Sequence, residues 1–107
     1  GHLGFEPIYP GEQYSITASF DEGLTGEAEL VVGEGSQIVG EIVQRINGAT
    51  SWQVKSDAGE HLLTVKANGE QQVKKVLITK ELIYEEPVET YDHSSIEKIQ
   101  VNYNKLN

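Results

Sequence analysis

The chain is 107 residues long, enough for one domain with a single modest core. Seventeen acidic against eight basic residues give a net charge of −9, which argues against nucleic acid as a partner, because phosphates must be neutralised by Lys and Arg. With no cysteine there are no disulfides, thiolate metal sites or thiol nucleophiles, and no run reaches the ~18 apolar residues of a membrane span.

The chain starts Gly1-His2 and contains no Met. We therefore expect a segment cut from a longer protein. Residues 1–2 read as a cloning scar, 3–90 as a β-sandwich domain, and 91–107 as a last strand or a tether toward the parent protein.

Strand signals dominate from the start. In 13-QYSITASF-20, Tyr14, Ile16, Ala18 and Phe20 alternate with Ser15, Thr17 and Ser19, the period-2 pattern of a strand with one face on a core. Pro10-Gly11 before it and 21-DEGLTG-26 after it are turn chemistry. A second strand, 27-EAELVV-32, stops at 33-GEGS-36, a turn with no following Lys and so no phosphate loop.

The run 36-SQIVGEIVQRI-46 admits two readings. Ile38, Ile42 and Val43 have helical spacing behind Ser36 as an N-cap, while Ile38, Ile42 and Ile46 share one face of a strand. Gly40 in mid-run and the β-branched excess favour strand. After Asn47-Gly48, the segment 50-TSWQVK-55 puts Trp52 and Val54 on one face. A core anchor is the better reading of Trp52 than an exposed platform for sugars.

The clearest signal is a hairpin, 61-HLLTVKANGEQQVKKVLITK-80. A two-residue turn at Asn68-Gly69 is the default, but it pairs Leu63 with Lys74 and mixes core and solvent faces. A three-residue loop at 67–69, with Gly69 left-handed at a bulge, pairs Leu63 with Val73 and Lys66 with Glu70 and is the form we expect. Lys74, Lys75 and Lys80 then read as a solvated strand face rather than a phosphate patch. Tyr84-Glu85-Glu86-Pro87 breaks the pattern, and Ile99, Val101 and Tyr103 alternate in the tail. Turn signals roughly every 8–12 residues predict an all-β, antiparallel sandwich of about seven strands.

The order 50-TSWQVKSDAGEHLLTVKANGEQQVKKVLIT-79, with 10-PGEQYSITASF-20 as an early strand, resembles bacterial and archaeal immunoglobulin-like domains. The resemblance implies an immunoglobulin-like β-sandwich, here without the cysteine pair of antibody domains. The tail 96-IEKIQVNYNKLN-107 looks like the exit of an extracytoplasmic domain returning to a membrane helix. Such domains occur as insertions in prokaryotic membrane proteins, among them relatives of the Oxa/YidC insertases. This likeness implies a non-catalytic extracytoplasmic or cell-surface module. Its partner is another protein or the rest of its own chain, and it meets the membrane only through the parent.

Candidate chemistry is sparse. A zinc hydrolase wants two His at helical spacing with a Glu, and His61 and His93 stand in no such motif. Ser94 or Ser95, His93 and Asp92 spell a triad, yet sequence neighbours do not converge on one point. Paired acids such as Glu27 with Glu29 and Glu85 with Glu86 read as solvated side chains rather than a glycosidase pair. Calcium is the more serious expectation. Loops at one end of a sandwich supply oxygen ligands, and Asp21, Glu22, Asp57 and Glu60 are the candidate set, against plain turn-forming acids. No other cofactor is expected.

Overall fold

The computed structural model describes residues 4–105, so residues 1–3, which include the expected Gly1-His2 scar, and the last two residues lie outside it. Eleven strands follow one another among the described residues: β1 (Phe5–Glu6), β2 (Tyr14–Phe20), β3 (Glu27–Val31), β4 (Ser36–Val39), β5 (Val43–Arg45), β6 (Ala49–Ser56), β7 (Gly59–Ala67), β8 (Glu70–Ile78), β9 (Val88–Thr90), β10 (Ile96–Val101) and β11 (Asn104–Lys105). One sheet has the order β4-β6-β2-β10-β9, the other β5-β3-β7-β8, and all their pairings are antiparallel. The expected all-β sandwich is what forms. Its strand count exceeds seven because short edge strands such as β5 and β9, three residues each, add to the long ones.

The alternation in β2 works as read: Tyr14, Ile16, Ala18 and Phe20 are buried while the residues between them are half-exposed. Ile16, Trp52 and Val54 from one sheet meet Leu30, Leu63 and Val76 from the other, all fully buried. Each such aliphatic side chain contributes about 2 kcal/mol through burial. Trp52 is the core anchor expected, 1% exposed, and its Nε1 donates to the Ile42 carbonyl at 2.9 Å.

The 36–46 run is strand, though split in two. Gly40, at φ 100°, ends β4, and the chain crosses so that β5 joins the opposite sheet. The tail is the strand alternative, and an interior one: β10 lies between β2 and β9, with Ile96, Ile99 and Val101 buried.

The hairpin departs from expectation. Ala67 pairs with Glu70, Val65 with Gln72 and Leu63 with Lys74, so the turn has two residues. Asn68 (φ 54°) and Gly69 (φ 71°) are both left-handed, as a type I′ turn requires. This register turns Lys74 onto the core face, where it is only 2% exposed, and the solvated-face reading of that lysine is overturned. Its stem is buried on the face of β8 that carries Val76 and Ile78, while Nζ donates to the carbonyls of Lys75 (3.0 Å) and Glu86 (2.9 Å). Burial holds its pKa below the ordinary lysine value, with Glu85 and Glu89 pulling the other way.

The chain ends meet beside this edge. β1 pairs with β11, Phe5 bridges to Ile83, and Ile8 forms a parallel bridge to Ile78. The rings of Phe5 and Tyr103 lie 6.3 Å apart and tie this small ladder to the core.

Candidate functional site

The four calcium candidates do not come together. β2 and β6 are antiparallel, with Tyr14 opposite Val54 at one end and Ser19 opposite Ala49 at the other. Asp21 and Glu22 follow β2 and Asp57 follows β6, so the two pairs leave from opposite ends of the sandwich. The eight residues of β6 separate them by roughly 25 Å. Glu60 sits on β7 opposite Leu77. Among the described residues, no three His, Asp or Glu side chains are grouped to hold an ion. The Asp21 carbonyl instead closes its own turn by accepting from Leu24 N at 3.1 Å.

The Ser-His-Asp spelling at 92–95 is likewise put to other use. Both serine hydroxyls bind Glu70: Ser94 Oγ at 3.0 Å, and Ser95 through its hydroxyl and its backbone N–H. The hydroxyls of Ser95 and Ser94 hold the Glu70 carboxyl below the ordinary glutamate pKa. Glu70 thus pins the tip of the β7–β8 hairpin to the β9–β10 loop.

His61 belongs to a polar chain that sequence spacing did not reveal. Tyr14 Oη lies 2.8 Å from Ser56 Oγ, Ser56 Oγ 2.7 Å from Ser36 Oγ, and Ser36 Oγ 3.2 Å from His61 Nδ1. His61 Nε2 is 2.7 Å from the Asp57 carbonyl. A carbonyl only accepts, so in the neutral ring Nε2 carries the proton and Nδ1 accepts from Ser36. The chain stitches β2, β4 and β6 to β7 of the opposite sheet. Burial raises the Tyr14 pKa, and the Ser56 contact opposes the shift. As a nucleophile and base, Ser36 and His61 lack support: the flanking N–H groups of Ser36 and Asp57 already donate to the carbonyls of Gly33 and Gly35.

What the tertiary structure builds with care is the free edge of β8. The two-residue turn makes residues 70, 72, 74, 76 and 78 the partners of β7, so Gln71, Val73, Lys75 and Leu77 turn their backbone groups outward. Three of these four are met from the side. Tyr91 Oη donates to the Val73 carbonyl at 2.7 Å, Lys74 Nζ donates to the Lys75 carbonyl, and Leu77 N donates to Tyr103 Oη at 3.1 Å. Just beyond the strand, Thr79 N donates to the Ile8 carbonyl at 3.2 Å. An unpaired edge is a template for adding strands, and these groups occupy it. Burial, then the charge of Glu89, pushes the Tyr91 pKa up to about 12, and burial raises that of Tyr103 to about 12 against the Leu77 bond.

No protein-family model matches the chain, and no curated protein or solved structure matches it. The class is therefore read from the fold: an all-β antiparallel sandwich, compatible with an immunoglobulin-like domain, whose polar side chains mostly tie loops and edges to the core.

Proposed function

We propose that this domain is a non-catalytic module on the extracytoplasmic side of a larger membrane or surface protein, where it spaces or docks a protein partner. The observation that carries this reading is the terminal ladder. Phe5 pairs with Lys105 and Glu6 with Asn104, antiparallel, so the described chain enters and leaves at adjacent points. A domain with neighbouring ends can be set into a loop of a host chain without diverting the host's path. That geometry suits accessory insertions in prokaryotic membrane proteins, the insertase relatives included. The site chemistry points the same way, since the serines and histidines in contact with other polar groups hold loops and sheets together. Sheet edges and faces are then the surfaces left for recognition.

The domain has no cysteine, which makes location testable in the parent protein. Glu22→Cys, in the exposed β2–β3 turn, is expected to react with a membrane-impermeant maleimide on intact cells. Labelling only after lysis overturns the extracytoplasmic reading.

A further inference from the structure

We infer that the edge of β5 is a docking site for an extended, cationic peptide segment that adds to the β5-β3-β7-β8 sheet as a fifth strand. The inference rests on the reading of the domain as an interaction module and names where and with what it interacts.

The backbone supplies the first argument. Leu30 N donates to Ile42 O and Ile46 N donates to Gly26 O, so residues 42, 44 and 46 turn toward β3. By antiparallel alternation Val43 and Arg45 turn their N–H and C=O groups outward. Among the described residues no side chain or loop is bonded to those four groups, in contrast to the Val73 and Lys75 carbonyls and the Leu77 N–H of β8. The strand is only three residues long and carries Arg45, two features that blunt an edge, but other deterrents are absent. There is no proline and no bulge in β5, and its two outward residues flank no inward-pointing charge.

The side chains supply the second. Val43, 44% exposed, shares the sheet face of its partner Glu29, and Ile42, 48% exposed, lies in the bend before β5. A strand laid against β5 covers Val43 with the alternate side chains of its matching face.

Charge chooses the occupant. Glu27 and Glu29 on β3 stand directly across from Arg45 and Val43, and Glu41 is exposed in the crossover before β5. Arg45 stands opposite Glu27 and Lys66 opposite Glu29, so three carboxylates exceed the two cations by one here, and the chain as a whole carries −9. No ion pair neutralises them, the sole pair among the described residues being Lys75 with Glu85. A cationic segment with apolar residues at alternate positions is steered to this surface, whereas a second copy of so acidic a chain is repelled.

The probe is a capped nonapeptide of alternating Lys and Val, titrated into the ¹⁵N-labelled domain, with an alternating Glu and Val peptide as control. The inference expects saturable shifts at the amides of Val43 and Arg45, weaker binding at high salt, and no response to the acidic peptide. Val43→Pro removes an outward N–H that no ladder bond uses, so it is expected to keep the fold and weaken binding about tenfold or more. Shifts that map to β8, β9 or a sheet face, or unchanged binding by folded Val43→Pro, overturn the inference while leaving the module reading in place. Concentration-dependent shifts at Val43 and Arg45 without peptide overturn it in favour of a second copy. Labelling of Glu22→Cys only after lysis removes the extracytoplasmic reading whatever the titration shows, so the two failures are distinguishable.

Discussion

The two edges of the β5-β3-β7-β8 sheet are built on opposite plans. At β8, Tyr91, Lys74 and Tyr103 lay hydroxyl and ammonium groups along the outward backbone, and the segment around Ile8 closes the end. At β5, the outward groups of Val43 and Arg45 have no partner among the described residues, and the Val43 side chain is exposed. The difference teaches that edge protection in this fold is a tertiary property. At the long strand it is supplied by side chains 18 and 26 residues away from the carbonyl and N–H they cover, whereas β5 presents only three residues.

Breaking the guarded edge at its most buried member has the largest expected effect. Lys74→Ala removes a packed stem opposite Leu63 and leaves the Glu86 carbonyl without its donor, for a loss of about 3 kcal/mol in chemical denaturation. Lys74→Met keeps most of the stem and discards the buried charge, so it should recover most of that loss. If Met is as damaging as Ala, the tether to Glu86 matters more than packing.

Tyr103→Phe comes next. It deletes only the hydroxyl and strands the Leu77 N–H, for an expected cost of about 1.5 kcal/mol. Tyr91→Phe frees the Val73 carbonyl toward water and should cost about 0.5 kcal/mol. The same two tyrosines give the comparison a pH signature. Their folded pKa values are raised, so the stability they contribute is complete below the ordinary tyrosine value of 10.0 and is lost as pH climbs through about 12. Lys74, whose folded pKa is lowered, works in the opposite sense, its penalty easing as pH rises toward the ordinary value of 10.5. The alkaline loss should therefore shrink in Tyr103→Phe and steepen in Lys74→Met, as read from denaturation midpoints across that range.

The smallest effects lie at the other extremes. Glu70 has a lowered folded pKa, so its hold on Ser94 and Ser95 is complete above the ordinary value of 4.5 and is lost on acidification below it. Glu70→Gln should flatten that acid response. Val43→Pro should change stability by no more than about 0.5 kcal/mol, because the open edge has no bond for proline to remove.

Much of the sandwich was legible in the sequence because its strands obey simple alternation. β2 and β6 each turn every second residue inward, β10 does so at Ile99 and Val101 after a bulge at 96–98, and Trp52 lies where its strand pattern puts it. The hairpin was misread for a physical reason. Patterning counts Lys as an outward residue, whereas Lys74 buries its methylenes and pushes only its ammonium to the rim, where the Glu86 loop waits. Nothing local announces that loop. The four acids named for calcium are kept apart by topology: turn acids similar in sequence are sent to opposite ends by the antiparallel pairing of β2 and β6. The guards of β8 were invisible for a like reason. Tyr91 and Tyr103 look like ordinary polar-tail tyrosines until β9 and β10 carry them to the edge.

Native-state hydrogen exchange, resolved amide by amide, tests the contrast between the two edges most directly. The Leu77 amide, bonded to Tyr103, and the Leu30 amide, bonded within the sheet to Ile42, should both be strongly protected, while Val43 and Arg45 exchange within about tenfold of unstructured rates. Leu77 exchanging as fast as Val43, or Val43 and Arg45 protected like Leu30, would contradict the account of one guarded and one open edge.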